Sequence, residues 1–509
     1  MKHRLLTFCL TAGLGLCAGQ ASATATAEEA AKLGNELTPV GGLKAGNADG
    51  TIPEWIGGRD FPQELKDIKR SQLQEIVATL RGMDIRGDVE SALAAAEKND
   101  FKSASTTLRG LIDKLPDGEL KNTAKVAEDQ IASAAEPIAT ITKANYKEHA
   151  DKLTVGHQAL FENYPDYKMN VYEPIRNAFF PEEINKTTKE NATRARLEGT
   201  DGVKDAKLGF PFPIPKSGAE AIWNHKLKFR GSAAKRYNDQ AIVKPDGDFK
   251  LTQVVEDVKF KYANLNEQND IASSKLLAYY LQEVVSPPRV AGQLILVHET
   301  ADQTTSGRAA WIFNPGLGRV NRAPDVGYDN PSPGTDGEQF NDQVDVFNGS
   351  LDRYNWKLLG KKEMYIPYNS YLMSAPVLKY SDMFRPLHMN QSLPRYELHR
   401  VWVVEATLKD GLRHQFKKRV FYLDEDSWSI ASVANYDNRD QLWKVQEAHL
   451  ITAPFVPTVT GIPEVMYDLQ SRRYFVTALL NEGEITDWEA QYDDSFFTPS
   501  SLKRRARTR

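Results

Sequence analysis

Three groupings in this 509-residue chain have residue types and spacings that could do chemistry. His298-Glu299 closes an apolar run, Glu447 and His449 stand two apart where a strand would turn both to one face, and Asp424-Glu425-Asp426 forms an acidic turn. An imidazole beside a carboxylate can move a proton or begin a metal site, but a zinc site takes about four ligands and no third or fourth is identifiable near either pair. The acidic turn could hold a cation or stand solvated at a hairpin tip. Asn47 and Asp49 supply two side-chain oxygens where calcium takes about six to eight, so they read as a turn. Gly-x-Ser-x-Gly, His-Glu-x-x-His, a Walker loop and Gly-x-Gly-x-x-Gly after a strand are all absent from the sequence. No catalytic residue, metal ligand or cofactor is therefore assigned. Hydrolysis of a lipid or ester, the enzymatic alternative, would need a serine or histidine that no motif marks.

Residues 1–23 read as a cleaved secretory signal: Lys2 and Arg4 precede an uncharged run from Leu5 to Ala18, and Ala21 and Ala23 offer an Ala-x-Ala cut. Both cysteines, Cys9 and Cys17, lie inside it, so the mature chain has no thiol for a disulfide, a metal or a nucleophile. Taking Lys2 and Arg4 from the 64 basic residues leaves 62 against 68 acidic ones, a net charge of −6. That balance disfavours nucleic acid, which needs a basic surface. The terminal cluster Lys503, Arg504, Arg505, Arg507 and Arg509 reads as a solvated tail.

Residues 24–61 are small, polar and turn-rich, with Trp55 available to anchor them across a larger body. Residues 62–136 turn abruptly to Ala, Leu, Lys and Glu with helical spacing, as in Val89, Leu93 and Ala96 and then Leu108, Leu111 and Ile112. This predicts a small all-helical insertion with one helix ending near Pro116. Beyond it, Tyr146–Tyr164 reads as helical, and Ser217 with Glu220 forms a capping box opening a helix that carries Trp223 and His225. From Phe249 onward strands dominate: 251–262, 276–284, 292–299, 309–314, 356–366, 397–408, 418–423, 430–437 and 441–449. Their links are too short for crossover helices, so most are antiparallel. Lys361, Lys362, Lys417, Lys418 and Arg419 read as solvated strand edges. The alternation of Trp311 with Phe313, Leu398 with Trp402 and Val404, and Trp443 with Val445 marks one buried face, either a filled core or the wall of a cavity.

The stretches LTPVGGLKAGNADGTIPEWIGG, FPFPIPKSGAEAIWNH, LILVHET, AWIFNPGLGRVNRAP, FNGSLDRYNWKLLGKKEMYIPYNS, RYELHRVWVVEATLK and RVFYLDEDSW together resemble a family of exported bacterial proteins of unknown function. That family is similar to outer-membrane lipoprotein-sorting proteins, with a fold like LolA and LolB. The resemblance implies an α+β fold in which a strongly curved antiparallel sheet, a half-barrel, carries helices on its concave side around a hydrophobic cavity. It also implies a periplasmic setting, peripheral to the outer membrane, with an RND-type exporter or an outer-membrane-associated companion as partner. Residues 62–136 depart from the family pattern.

The resulting expectation divides the chain into a signal peptide (1–23), an extended segment (24–61), a helical insertion (62–136), a curved-sheet domain (137–505) and a basic tail (506–509). Its function would be to carry or chaperone a lipid, acyl chain or lipoprotein anchor toward the outer membrane. The candidate ligand-binding residues are Trp311, Phe313, Trp402, Tyr422 and Trp443. The alternative is a non-catalytic accessory subunit of an envelope exporter.

Overall fold

The computed structural model describes residues 24–58, 61, 63–118, 121–122, 125, 136–199, 201–267, 271, 276–301, 307–323 and 328–507. The expected signal peptide and the last two residues of the basic tail lie outside them. Helices are α1 (Ala27–Ala31), α2 (Gln63–Lys66), α3 (Arg70–Gly82), α4 (Arg86–Glu97), α5 (Phe101–Asp113), α6 (Val155–Asn163), α7 (Glu182–Asn191), α8 (Gly218–Lys226), α9 (Tyr380–Met383) and α10 (Pro499–Arg507). Strands are β1 (Ala139–Thr142), β2 (Lys168–Tyr172), β3 (Arg196–Leu197), β4 (Val203–Lys204), β5 (Ala233–Val243), β6 (Phe249–Phe260), β7 (Leu276–Ser286), β8 (Leu294–Thr300) and β9 (Ala309–Asn314). They continue as β10 (Arg319–Arg322), β11 (Tyr354–Pro367), β12 (Tyr396–Leu408), β13 (Lys418–Asp424), β14 (Ile430–Tyr436), β15 (Leu442–Ala453), β16 (Thr458–Asp468) and β17 (Tyr474–Leu479).

Fifteen strands form one sheet in the order β1-β2-β12-β13-β14-β15-β16-β17-β5-β6-β7-β8-β9-β10, with β11 also paired to β12. Every pairing is antiparallel except the short one between β12 and β2. Among the described residues the path does not close: β1 and β10 are its ends. The fold is therefore α+β around one large antiparallel sheet.

The helices pack where apolar stripes meet the sheet. Ser217 caps α8 by accepting from the Glu220 backbone N–H at 3.3 Å. The first residue of α8, Gly218, approaches so closely that a Cβ there would meet Val404 Cγ1 at 2.8 Å. That approach buries Ala221, Ile222 and Trp223 in a core with Val403, Val404, Phe421 and Leu423. A second core surrounds Leu160 and Phe161 of α6 and joins β2, β12, β15, β16 and β17. Helix α10 closes a third, in which Leu502 and Phe497 cover Leu281, Leu294, Leu296 and Phe313. The basic tail is thus helical to Arg507, not frayed, because Leu502 and Ala506 share the apolar side of one helix.

Helices α4 and α5 form a hairpin that buries Val89, Ala92 and Ala96 on α4. The hairpin is fastened to the body by a two-pronged Arg86–Asp382 pair with both contacts at 2.6 Å and by an Arg385–Glu97 pair. No residue of α3 is buried. Among the described residues no helix is long and apolar enough to cross a membrane.

Candidate functional site

Alternation along the strands builds one wall of a cavity of about 290 Å³. Arg236, Asn238 and Gln240 of β5 and Glu256, Val258 and Phe260 of β6 point into it. So do Ala278, Tyr280 and Gln282 of β7, Ile295 and Val297 of β8, and Ala310 and Ile312 of β9. Lys228 and Arg230 after α8, Asp345 and Phe347 on the facing loop, and Ile462 and Glu464 of β16 complete the lining. Polar and apolar groups thus converge on a partly open pocket, the usual composition of a small-molecule site.

The charges around this space are strongly perturbed. Arg230 pairs with Asp345, and Lys228 lies 3.4 Å from the same carboxylate. Those cations hold Asp345 well below the ordinary carboxylate range despite its burial. Burial and the neighbouring Asp345 push Glu464 up to about 8, and burial lowers Lys228 to about 8. The lone helix histidine, His225, is structural: its Nδ1 accepts from the Ile430 N–H at 3.1 Å and its Nε2 donates to the Asp345 carbonyl at 2.9 Å.

The acidic turn is not a solvated tip. Asp424, Glu425 and Asp426 are all at most 2% exposed. Guanidinium pairs with Glu425 and Asp426; Lys361, expected at a solvated edge, adds its ammonium to Glu425 at 2.6 Å, and Asp424 accepts from the Ser427 and Tyr368 hydroxyls. Arg176 Nε donates to Asp426 Oδ2 and Arg176 Nη2 to Asp426 Oδ1, both at 2.8 Å, and Arg400 Nε reaches Glu425 Oε1 at 2.7 Å. The same two arginines bind carbonyls of the extended segment: Arg176 those of Leu43, Lys44 and Pro53, and Arg400 those of Leu43 and Ala45. The Trp428 indole N–H donates to Val40 O at 2.8 Å. Residues 38–54, whose own backbone bonds are turns and a single Leu37–Leu43 bridge, are therefore strapped over this end of the sheet through their carbonyls. His399, Asp424 and Asp426 bring potential ligand atoms within 4.8 Å of one another, but both Asp426 oxygens are already gripped by Arg176.

The remaining groupings separate. His298 and Glu299, being adjacent on β8, face opposite sides: His298 Nε2 bonds the Phe497 carbonyl at 2.7 Å beneath α10, whereas Glu299 pairs with Arg308 at 2.7 Å on the cavity side. Glu447 and His449 do share a face, but within the core, where Glu447 Oε1 meets His157 Nε2 at 2.8 Å and Tyr396 Oη at 3.1 Å. Neither nitrogen of His449 has a protein partner, and burial lowers it to about 4. Asn47 and Asp49 cap backbone N–H groups of Ile52 and Thr51, as a turn requires. Arg419, expected at a solvated edge, is fully buried between Asp342 and Asn435.

The five candidate aromatics are not brought together. Trp311 and Phe313 pack under α10, with Trp311 edge-on to His298 at 4.8 Å. Trp402 stacks on Trp428 at 6.0 Å beside the strap. The Tyr422 hydroxyl lies 3.4 Å from the Val155 backbone N–H, and the Trp443 indole donates to Asp468 at 3.0 Å. Among the described residues, the cavity walls include none of them. On β9 it is Ala310 and Ile312, the residues between the aromatics, that face the space. Sequence reasoning passed over β5 altogether, and with it Arg236.

Fold and site together define an α+β protein whose antiparallel sheet walls a mixed polar and apolar cavity. The chain belongs to the DUF1329 family of proteins of unknown function, which matches residues 140–503. An uncharacterized protein of Pseudomonas aeruginosa is 40% identical over 494 residues, 96% of each chain. Solved structures with partial likeness include a DUF1329 family protein from Desulfovibrio piger (14% identity, 53% of this chain and 92% of that one, TM-score 0.37). Another is a putative outer membrane lipoprotein-sorting protein domain from Vibrio parahaemolyticus (16% identity, 56% and 98%, TM-score 0.39). A third is a LolA superfamily protein from Nitrosomonas europaea (13% identity, 55% and 97%, TM-score 0.34).

Proposed function

We propose that the protein is a periplasmic carrier or chaperone that holds a hydrophobic ligand in the cavity walled by its large antiparallel sheet and hands it toward the outer membrane. The observation that carries this reading is that Ile295, Val297 and Ile312, aliphatic side chains on adjacent strands, line the cavity and are only partly buried. Removing apolar surface from water is worth about 25 cal/mol per Å², so a lipid or acyl chain is the ligand such a wall favours. Export through residues 1–23 accords with it. Native mass spectrometry of protein purified from the periplasm without detergent tests it. A stoichiometric apolar molecule released on denaturation is expected; an empty protein that also fails to bind an apolar fluorescent probe overturns it.

A second reading, an accessory subunit of an envelope exporter, draws support from α3, which buries no residue and presents its length for contact. Deleting residues 62–136 separates the two: loss of partner co-purification with ligand binding intact would assign the role to the insertion.

A further inference from the structure

The cavity wall has a polarity gradient written in its register. Cross-strand pairing places Arg236, Glu256, Gln282, Ile295 and Ile312 in one row across β5 to β9. The next row runs Val258, Tyr280, Val297 and Ala310. The first row therefore passes from ions through an amide to aliphatics over four strand spacings, about 19 Å.

At the charged end groups of both kinds are left over, Glu256 Oε2 and Asn348 Oδ1 among the acceptors and the guanidinium Nε of Arg230 and of Arg236 among the donors. Glu256 Oε1 accepts from Tyr280 Oη at 2.6 Å and from Asn238 Nδ2 at 3.0 Å, and its Oε2 meets Arg236 Nη2 at 2.8 Å. Glu464 Oε2 accepts from the Val346 N–H at 3.1 Å. Arg230 and Arg236 each keep a buried Nε–H with no partner. Lys228, Arg230 and Arg236 stand here beside Asp345 and Glu256, and burial next to Asp345 raises Glu464 above the ordinary carboxylate range.

We infer, resting on the carrier reading, that the cavity takes a single-chain anionic amphiphile, with its carboxylate or phosphate on Arg230 and Arg236 and its chain along Ile295, Val297 and Ile312. The volume suits one chain: about 290 Å³ is close to the lower limit of the roughly 300–1,000 Å³ of single-ligand pockets. Guanidinium suits either oxyanion because its planar donors match both.

The test is calorimetric titration of the full chain, stripped of co-purified lipid, with laurate, dodecyl phosphate, dodecanol and dodecyltrimethylammonium. Laurate or dodecyl phosphate should bind at least about tenfold tighter than dodecanol, equivalent to ~1.4 kcal/mol, and the cationic chain weakest. The ranking of the two anions identifies the head group. In Arg236→Gln the preference for anion over alcohol should collapse while dodecanol affinity holds; if that variant does not fold, the four-ligand series on the unsubstituted chain decides alone. Equal binding of anion and alcohol, or tightest binding of the cation, overturns the head-group assignment and leaves the carrier standing. Failure of all four chains to bind overturns the carrier reading itself.

Discussion

The strap and the cavity are both crowded with buried charge, yet they are built to opposite ends. At the strap, Arg176 and Arg400 pair with Glu425 and Asp426, and Arg176 Nη1 and Nη2 and Arg400 Nη2 also donate to carbonyls of residues 43–53. At the cavity, Arg230 contacts Asp345 and the carbonyls of His225 and Lys226, Arg236 contacts Glu256, and each arginine retains an Nε–H without a partner. Identical residue types thus do two jobs. A charge cluster whose guanidinium groups bind the chain's own carbonyls holds the fold; one with unpartnered groups beside a void is equipped to hold something else.

The strongest way to break this contrast is Arg176→Met. It leaves Asp426 buried without its countercharge and the Pro53 carbonyl without its Arg176 donor, while Glu425 keeps Arg400 and Lys361 and the Leu43 carbonyl keeps Arg400, so a loss of about 3–5 kcal/mol is expected from urea unfolding. A loss below about 1 kcal/mol would mean that the strap contributes no more than a surface pair. Gly41→Ala tests the same seat sterically. Its φ is +102°, and a Cβ would lie 1.9 Å from Pro213 O, so about 2–3 kcal/mol should be lost as the strap lifts.

The pH dependence sharpens the contrast by asking what burial does without a countercharge. His449 is lowered from 6.5 to about 4 by burial and then, in opposition, raised by Glu447. Its folded form therefore resists protonation. Above pH 6.5 both states are neutral and it contributes no slope; between pH 6.5 and 4 only the unfolded chain takes the proton, so stability falls as pH falls, and below 4 the slope ends. At ~1.4 kcal/mol per unit, the difference between the parent and His449→Gln should change by roughly 3 kcal/mol across that window. His225, lowered to about 3 for the same first cause, should extend the fall to lower pH. Denaturation midpoints of parent and variant at a series of pH values measure this, and parallel curves would refute it.

How much of this was legible beforehand depends on where each signal lives. Strand β9 was readable to the residue, because Ala309–Asn314 alternates cleanly and ends in an Asn-Pro-Gly turn. Strand β5, AAKRYNDQAIV, was not, because Lys235, Arg236, Asn238, Asp239 and Gln240 put polar groups on both faces and erase the period of two on which strand detection rests. Strand β16 carries Gly461 and Pro463, which read as breakers. The site was hidden for a related reason. Aromatic residues mark buried faces, but they mark them by filling space, and a cavity needs neighbours that leave it empty. Ala310 and Ile312 are ordinary in sequence and become informative only once Trp311 and Phe313 are seen to point the other way. The charged end joins β5, β6, β16 and the 345 loop, separations no local pattern spans.

The smallest expected effect is the most discriminating, since it asks the cavity to behave unlike the strap. Arg236 is 38% exposed, toward the cavity, and its partner Glu256 keeps hydrogen bonds from Tyr280 and Asn238 when the guanidinium is gone. Arg236→Gln should therefore shift the urea midpoint by no more than about 1 kcal/mol, against several for Arg176→Met, although both remove a guanidinium from a carboxylate. A loss as large as that at Arg176 would make the cavity cations part of the framework, and the distinction between the two clusters would fail at the place where it matters for function. A small loss, with the anion preference gone, would show that the fold tolerates this charge because its work is done on a ligand.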